Sequence, residues 1–292
     1  MRAALLVPEP ATGYPWQSAF DGEANALARV GIKAVPLVWS KFTDFGDFDL
    51  VLPLLAWGYH HQPSAWLAML DHLEQAAVPV INPVPVLRWN SDKSYLAEFA
   101  RRGVATVPTR IADHLDEAAL DAARAAFRSA SVVIKPLVSG AADGTVKLSP
   151  ADAIPVDAAG KRMIIQPMID TIHSIGEYSL FLFGGGLSHC IIKRPRTGDF
   201  RVQTQFGGTE HACDPPAGGE ALAHAALAMA PAAAAYARVD MVIGTDREPC
   251  IMELELIEPA LFLEHSPDRG AAFARAIASA AKRAVEQKLA DR

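Results

Sequence analysis

Met252-Glu253-Leu254-Glu255-Leu256 alternates apolar and acidic residues over five positions. In an extended chain successive side chains point to opposite faces, so both carboxylates share one face. Upstream, Arg238-Val239-Asp240-Met241-Val242 alternates in the same way. If the two runs pair as strands, Asp240 joins the face of Glu253 and Glu255. Three carboxylates at close range repel one another unless a cation sits among them. Magnesium suits that place, because it takes a few carboxylates and fills its octahedron with phosphate oxygens and water. The bland alternative is the solvated face of an amphipathic strand, and these residues alone do not separate the two.

Working outward, the neighbouring segments are rich in strands. Met163–Ile165, Tyr178–Phe183 and Leu187–Ile192 read as strands, the last two joined by Gly184-Gly185-Gly186, so an antiparallel sheet is expected. Ala221–Tyr236 reads as an Ala-rich helix interrupted by Pro231, and Asp268–Leu289 as a closing helix. The first ~85 residues instead alternate strands with helices. Arg2–Val7, Ile32–Val38, Asp49–Leu55 and Val78–Ile81 are the strands, and Gly22–Val30 and Pro63–Ala77 the helices. That order implies a parallel, doubly wound sheet. Ser91–Arg102 reads as a further helix with Ser91 as its cap and Gly103 as its stop.

Length and composition bound the rest. At roughly 150 residues per domain, 292 residues make about two domains, or one large α/β unit built from subdomains. Hydrophobic residues make up 51% of the chain, which excludes disorder. No stretch approaches the ~20 uncharged apolar residues of a membrane span. Ala3–Val7 is too short for a signal-peptide core and reads as a first strand. A net charge of −6 with no basic run argues against a surface that tracks nucleic-acid phosphates. Cys190, Cys213 and Cys250 have no CxxC spacing, so neither a disulfide framework nor a Cys-based zinc site is expected, and the cytoplasm is the default compartment.

Other residue types capable of chemistry are scattered. Lys93 follows Asn90-Ser91-Asp92, and Lys135 ends the apolar strand Val132–Lys135. After Lys135 comes a small-residue loop, 139–145, whose Ser139, Gly140, Ala141 and Gly144 leave room for backbone N–H groups to close over phosphates. The loop is neither GxxxxGK[ST] nor GxGxxG. Gln166-Pro167-Met168-Ile169 reads either as a hinge whose backbone pairs with an adenine edge or as a plain strand end. Lys193, Arg194, Arg196 and Arg201 crowd nine residues, either as a solvated loop or as forks for phosphate or carboxylate. The nine histidines form no HxH or HExxH pair, and His60 and His61, being adjacent, are expected to point apart. No GxSxG elbow is present.

The order of these pieces resembles the ATP-grasp superfamily, in its glutathione-synthetase-like and ribosomal-protein-glutamate-ligase-like branch. Asn90-Ser91-Asp92-Lys93, Val133-Ile134-Lys135-Pro136, the 139–145 loop, Gln166–Ile169, Gly198-Asp199-Phe200-Arg201, Gly207-Gly208, Asp240 and Met252–Glu255 carry the likeness. It covers roughly residues 85–265 directly. Within the branch, the stretches at 87–96, 193–208 and 253–263 are similar to the group containing the cycloserine-forming ligase of antibiotic biosynthesis.

The resemblance implies an α/β chain, α+β toward its C-terminal part. A pre-ATP-grasp domain of parallel βα units over 1–88 precedes two subdomains, 89–165 and 166–292, that clasp ATP. It implies an ATP- and Mg²⁺- (or Mn²⁺-) dependent carboxylate–amine ligase working through an acyl phosphate on a small amino-acid-like substrate. Lys93, Lys135 and the loop would hold phosphates, Gln166, Met168 and Ile169 the adenine, and Asp170 and Glu177 the ribose or substrate. Asp240, Glu253 and Glu255 would hold the metal, with Arg201 and Lys193 stabilising the acyl phosphate. Partners would be small carboxylates and amines, neither nucleic acid nor membrane, and a homo-oligomer is compatible. A kinase on the same fold or a non-catalytic nucleotide-binding module are the rival readings. Two departures stand out. The group's Arg-Ser-Thr-Trp-Asp-Tyr-like stretch is here Leu54-Leu55-Ala56-Trp57-Gly58-Tyr59, without the arginine and the aspartate, so a different substrate is implied. The superfamily's usual Glu-x-Asn is here Glu253-x-Glu255.

Overall fold

The computed structural model describes residues 1–41, 44–76 and 78–290. Its amino-terminal layer is a three-stranded parallel sheet of β1 (Arg2–Val7), β2 (Lys33–Val38) and β3 (Leu50–Leu52), in the order β2-β1-β3. Alternation along β1 divides its side chains between two cores. Ala3, Leu5 and Val7 pack with Ala26 and Leu27 of α1 (Gln17–Ala28). Ala4 and Leu6 pack with Trp66, Leu70 and Leu73 of α2 (Pro63–Gln75). Helices on both faces are what a strand without a polar side requires.

The chain departs from expectation at three places in its local structure. Val78–Ile81 is not a full strand but a single bridge between Val80 and Val51, since Pro79 has no N–H to extend the ladder; Ala77, the expected end of α2, lies outside the described residues. Ser91–Arg102 is not one helix. α3 (Val84–Asn90) ends at Ser91, whose hydroxyl donates back to the Leu87 carbonyl and accepts from the Trp66 indole N–H, and α4 (Tyr95–Arg101) begins after a break. Lys93 sits in that break, its own N–H donating to the Leu137 carbonyl. Nor does a helix run from Ala221 to Tyr236.

A second sheet is antiparallel, in the order β4-β7-β5-β6, from β4 (Arg110–Ala112), β5 (Val132–Pro136), β6 (Val146–Leu148) and β7 (Met163–Pro167). With α5 (Glu117–Phe127) it encloses its own core around Leu120, Ile134 and Ile165. β7 runs through the 165/166 boundary expected between subdomains. After the short α6 (Thr171–Ser174), the third sheet has the order β10-β9-β8-β11-β12. Its strands are β8 (Glu177–Phe183), β9 (Gly186–Arg194), β10 (Thr209–Ala212), β11 (Tyr236–Ile243) and β12 (Pro249–Glu255). The helix between β10 and β11, α7, spans only Gly219–Leu227, and Tyr236 opens β11. Pro231 has no N–H for the Leu227 carbonyl four residues back, which stops the helix, and Asn82 accepts the Ala235 N–H just before β11. α8 (Ala271–Ala290) puts Phe273, Ala274 and Ile277 into the core that holds Leu5 and Leu27, so the first and last segments of the chain share one interior.

β12 lies at a sheet edge, where unpaired backbone groups need partners. At Ile251 the backbone of 105–107 supplies them through a parallel bridge, and beyond it side chains do. Asn90 donates to the Leu254 carbonyl and accepts from the Leu256 N–H, each at 2.8 Å, and the Tyr95 hydroxyl donates to the Leu254 carbonyl at 3.0 Å. Asn82 donates to the carbonyls of Leu256 and Tyr236. Asn90→Ala strands buried backbone groups, so unfolding in urea should show a loss of about 2–4 kcal/mol. A loss below about 0.5 kcal/mol would mean that the edge finds other partners.

Candidate active site

The three sheets wall a cavity of about 940 Å³, at the upper end of the range for small-molecule sites. Tyr14, Trp57, Tyr59 and His60 line it from the amino-terminal layer. The four-stranded sheet and its loop contribute Lys135, Ser139, Gly140, Ala141 and Gln166, followed by Met168 and Ile169. The five-stranded sheet contributes Glu177, Lys193, Asp240, Glu253 and Glu255, with Arg201 on the segment before β10. Lys93 enters from the break between α3 and α4.

Gly144 and Asp170 are expected there and are not on the wall. Gly144 serves the turn instead: its φ is +65°, and a Cβ would lie 2.7 Å from Pro136 Cγ. Asp170 precedes α6, beyond Ile169. The adenine-edge expectation also narrows, because the Met168 N–H already donates to the Ser131 carbonyl.

The acidic face forms as its alternation implies. β11 and β12 are antiparallel with Asp240 opposite Glu253 and Arg238 opposite Glu255. The charges are interleaved. Arg238 Nη2 donates to Asp240 Oδ2 at 2.9 Å and to Glu255 Oε1, while Lys193 Nζ lies 3.0 Å from Glu177 and 3.5 Å from Asp240. Lys93 Nζ is 3.1 Å from Glu253 Oε1 and also donates to the Ser139 carbonyl.

These neighbours set each protonation state. Burial works to raise Asp240, but Arg238 and Lys193 outweigh it and hold the group at about 2. Burial raises Glu177 against the pull of Lys193. Glu255 is pushed up to about 8 by burial and by repulsion from Asp240, Glu253 and Glu258, against the attraction of Arg238. Glu258, also on the wall, rises to about 7, chiefly through burial. Lys135 is lowered by burial and by Lys93, against the attraction of Glu253, and among the described residues it has no ion-pair partner.

Arg201 lies on the cavity wall with its guanidinium already engaged. Its guanidinium is bidentate on Asp199, at 3.0 and 2.8 Å, and stacks 3.7 Å from the Phe206 ring centre. The guanidinium among the acids is that of Arg238, which the sequence reading passes over. Its signal is present: Arg238 is two residues from Asp240 on an alternating strand, hence on the same face. Glu258 and Tyr14 carry no comparable pattern.

This architecture defines a class. The fold is that of the ATP-grasp ligases, and likeness to named ligases marks the chain as an enzyme. The family described as D-cycloserine synthetase DcsG, N-terminal domain, matches residues 11–82. Over 280 residues the chain is 29% identical to the cycloserine biosynthesis protein DcsG of Streptomyces lavendulae, covering 88% of this chain and 92% of that protein. The crystal structure of D-cycloserine synthetase DcsG superposes with a TM-score of 0.83 and 28% identity, covering 97% of this chain and all of that one. A D-alanine–D-alanine ligase from Bacillus anthracis shares the fold at a TM-score of 0.66 and 16% identity, with both chains fully covered. Among the described residues no helix is long and apolar enough to cross a membrane.

The raised carboxylates have a measurable consequence. A carboxyl whose folded pKa lies above its unfolded value favours the fold at low pH, and that contribution disappears as pH rises through the folded value. For Glu258 and Glu255 the window runs from about 4.5 up to about 7 and 8. Without divalent ions, the melting temperature should therefore fall by about 3–6 °C between pH 6 and 9. Glu255→Gln should flatten the fall. Equal slopes in wild type and variant would show that Glu255 ionises normally.

Proposed function

We propose that the chain is an ATP- and Mg²⁺-dependent ligase that joins the carboxyl group of a small amino-acid-like substrate to an amine through an acyl phosphate. The observation that carries this reading is the buried Lys135 ammonium, on the cavity wall beside Lys93 and without an ion-pair partner among the described residues. It calls for an anion. The acidic face calls for a cation, since repulsion helps force Glu255 toward protonation. A triphosphate with its divalent ion satisfies both walls together.

The donor set fits a hard divalent ion: Asp240, Glu253 and Glu255 offer oxygen ligands on adjacent strands, and magnesium or manganese takes such ligands. When bound, the ion would neutralise charge on the phosphate oxygens. Lys93 and Lys135 hold the anionic oxygens in place. A substrate carboxylate oxygen attacks the γ-phosphorus and ADP departs. The amine then attacks the acyl carbon and phosphate leaves. Arg238 and Lys193 face the charge that develops, and Arg201 does so after releasing Asp199. Positioning and charge neutralisation carry such a transfer, and the 139–145 loop keeps water from the acyl phosphate.

The substrate end has its own chemistry. Leu54, standing where the resemblance places an arginine, is fully buried in the core and offers no clamp for a substrate carboxylate. In its place the wall presents Glu258 among Tyr14, Trp57 and Tyr59, with the Trp57 indole N–H donating to the Glu258 carbonyl at 3.1 Å. A carboxylate beside aromatic faces suits an ammonium group. The substrate is therefore read as amine-bearing and distinct from that of the cycloserine enzyme.

Incubation with ATP, Mg²⁺ and panels of amino acids should release ADP and phosphate only when a carboxylate and an amine are both present. ADP release indifferent to both would sink the reading, and a stable phosphorylated product would replace it with a phosphotransferase. Lys135→Ala should weaken ATP binding by about tenfold or more, whereas Glu253→Ala should lower Mg²⁺-dependent turnover by about a hundredfold with a smaller effect on ATP affinity. In Glu258→Gln the KM for the amine-bearing substrate should rise while ATP affinity holds.

A further inference from the structure

Three side chains that the ligase reading does not use converge beside the cavity. His60 and His61 lie on a 3-10 turn, Tyr59–His61, and Asp143 lies on the 139–145 loop. Adjacent histidines are expected to diverge, yet this turn brings their ring centres to 4.1 Å. His61 Nδ1 is 3.6 Å and His60 Nε2 3.9 Å from Asp143 Oδ2. One ligand atom from each residue falls within 4.8 Å of the other two. These separations are too long for hydrogen bonds. They approach the edge of about 3.3 Å expected for a tetrahedron around zinc with bonds near 2.0 Å.

We propose that His60, His61 and Asp143 form a second metal site, selective for a zinc-class divalent ion, that ties the 139–145 loop to the amino-terminal layer. The His60 side chain is only 5% exposed, lines the cavity, and neither of its ring nitrogens has a hydrogen-bond partner among the described residues. Buried polar atoms left this way are uncommon and point to a ligand. His61 Nε2 lies 3.2 Å from the Tyr14 hydroxyl. With that hydroxyl accepting, the proton sits on Nε2 and the Nδ1 lone pair faces Asp143, the outer-shell arrangement typical of metal-bound histidine.

Two imidazoles and one carboxylate select differently from the all-oxygen set on β11 and β12. They leave a fourth position for water or for an oxygen of whatever fills the cavity. The loop is already seated against this turn: a Cβ at Gly140 would come to 3.0 Å from the His60 ring, so a larger residue there would crowd it. Gln205, from across the cavity, donates to the Ala141 carbonyl on the same loop. An ion at the three side chains would hold the loop closed over the cavity whether or not the chain is a ligase.

The test uses the full chain stripped of metal with a chelator and titrated with Co²⁺ as a spectroscopic stand-in for Zn²⁺. One equivalent should give the visible bands of a tetrahedral site, displaced by Zn²⁺. His61→Ala and Asp143→Asn, both at partly exposed side chains, should each weaken binding by at least about tenfold, while Glu253→Gln should leave the bands in place. Zinc-edge absorption of the wild type should show two imidazoles in the first shell, a readout independent of any variant. Absence of tetrahedral bands at one equivalent, their survival in both loop and turn variants, their loss in Glu253→Gln, or an oxygen-only shell would each overturn the proposal.

Discussion

The pairing of β11 with β12, and the sealing of the outer edge of β12 by side chains, is the constraint on which the rest of the molecule depends. Register alone puts Asp240 across from Glu253 and Arg238 across from Glu255. Without partners for its outer N–H and C=O groups, however, β12 would not hold that register against its own charge repulsion. Asn90, Tyr95 and Asn82 provide those partners, and all three lie far upstream in the chain. The same short region then delivers Lys93 to Glu253. One set of hydrogen bonds thus joins the amino-terminal layer to the acidic strand and aims a cation at it.

Electrostatics inside the cavity follow from that geometry. Buried charges persist only when paired or when something binds to them. Arg238 and Lys193 take up most of the negative charge on Asp240 and Glu177, which is why Asp240 stays ionised in a buried place. Glu255 is less well compensated and Lys135 has no counter-ion among the described residues, so the two walls retain opposite unmet demands. Arg201 illustrates the reverse case: folded on Asp199 and stacked on Phe206, it already has a counter-ion of its own.

The amino-terminal layer closes the remaining side, and there the chain differs from the pattern it resembles. Leu54 is inside the core, Gly58 allows the Tyr14 ring to pack within 3.0 Å of where a Cβ would be, and Trp57 and Tyr59 remain on the cavity wall. Glu258 faces the same space, so that end of the cavity presents a carboxyl group beside aromatic rings.

Much of the architecture was legible in the linear order of residues, because period-two alternation and strand–helix succession are local properties. They determine the parallel first sheet, the antiparallel later strands and the shared face of Asp240, Glu253 and Glu255. Local signals failed where a distant side chain intervened. Ser91 ends a helix because its hydroxyl is held by Leu87 and Trp66, and the Ala235 N–H just before β11 goes to Asn82. The central place of Arg238, the burial of the Lys135 ammonium without an ion-pair partner among the described residues, and the convergence of His60 and His61 on Asp143 were likewise decided only in three dimensions. Each depends on which charges and polar atoms from remote segments come within a few ångströms, and spacing along the chain carries no record of that.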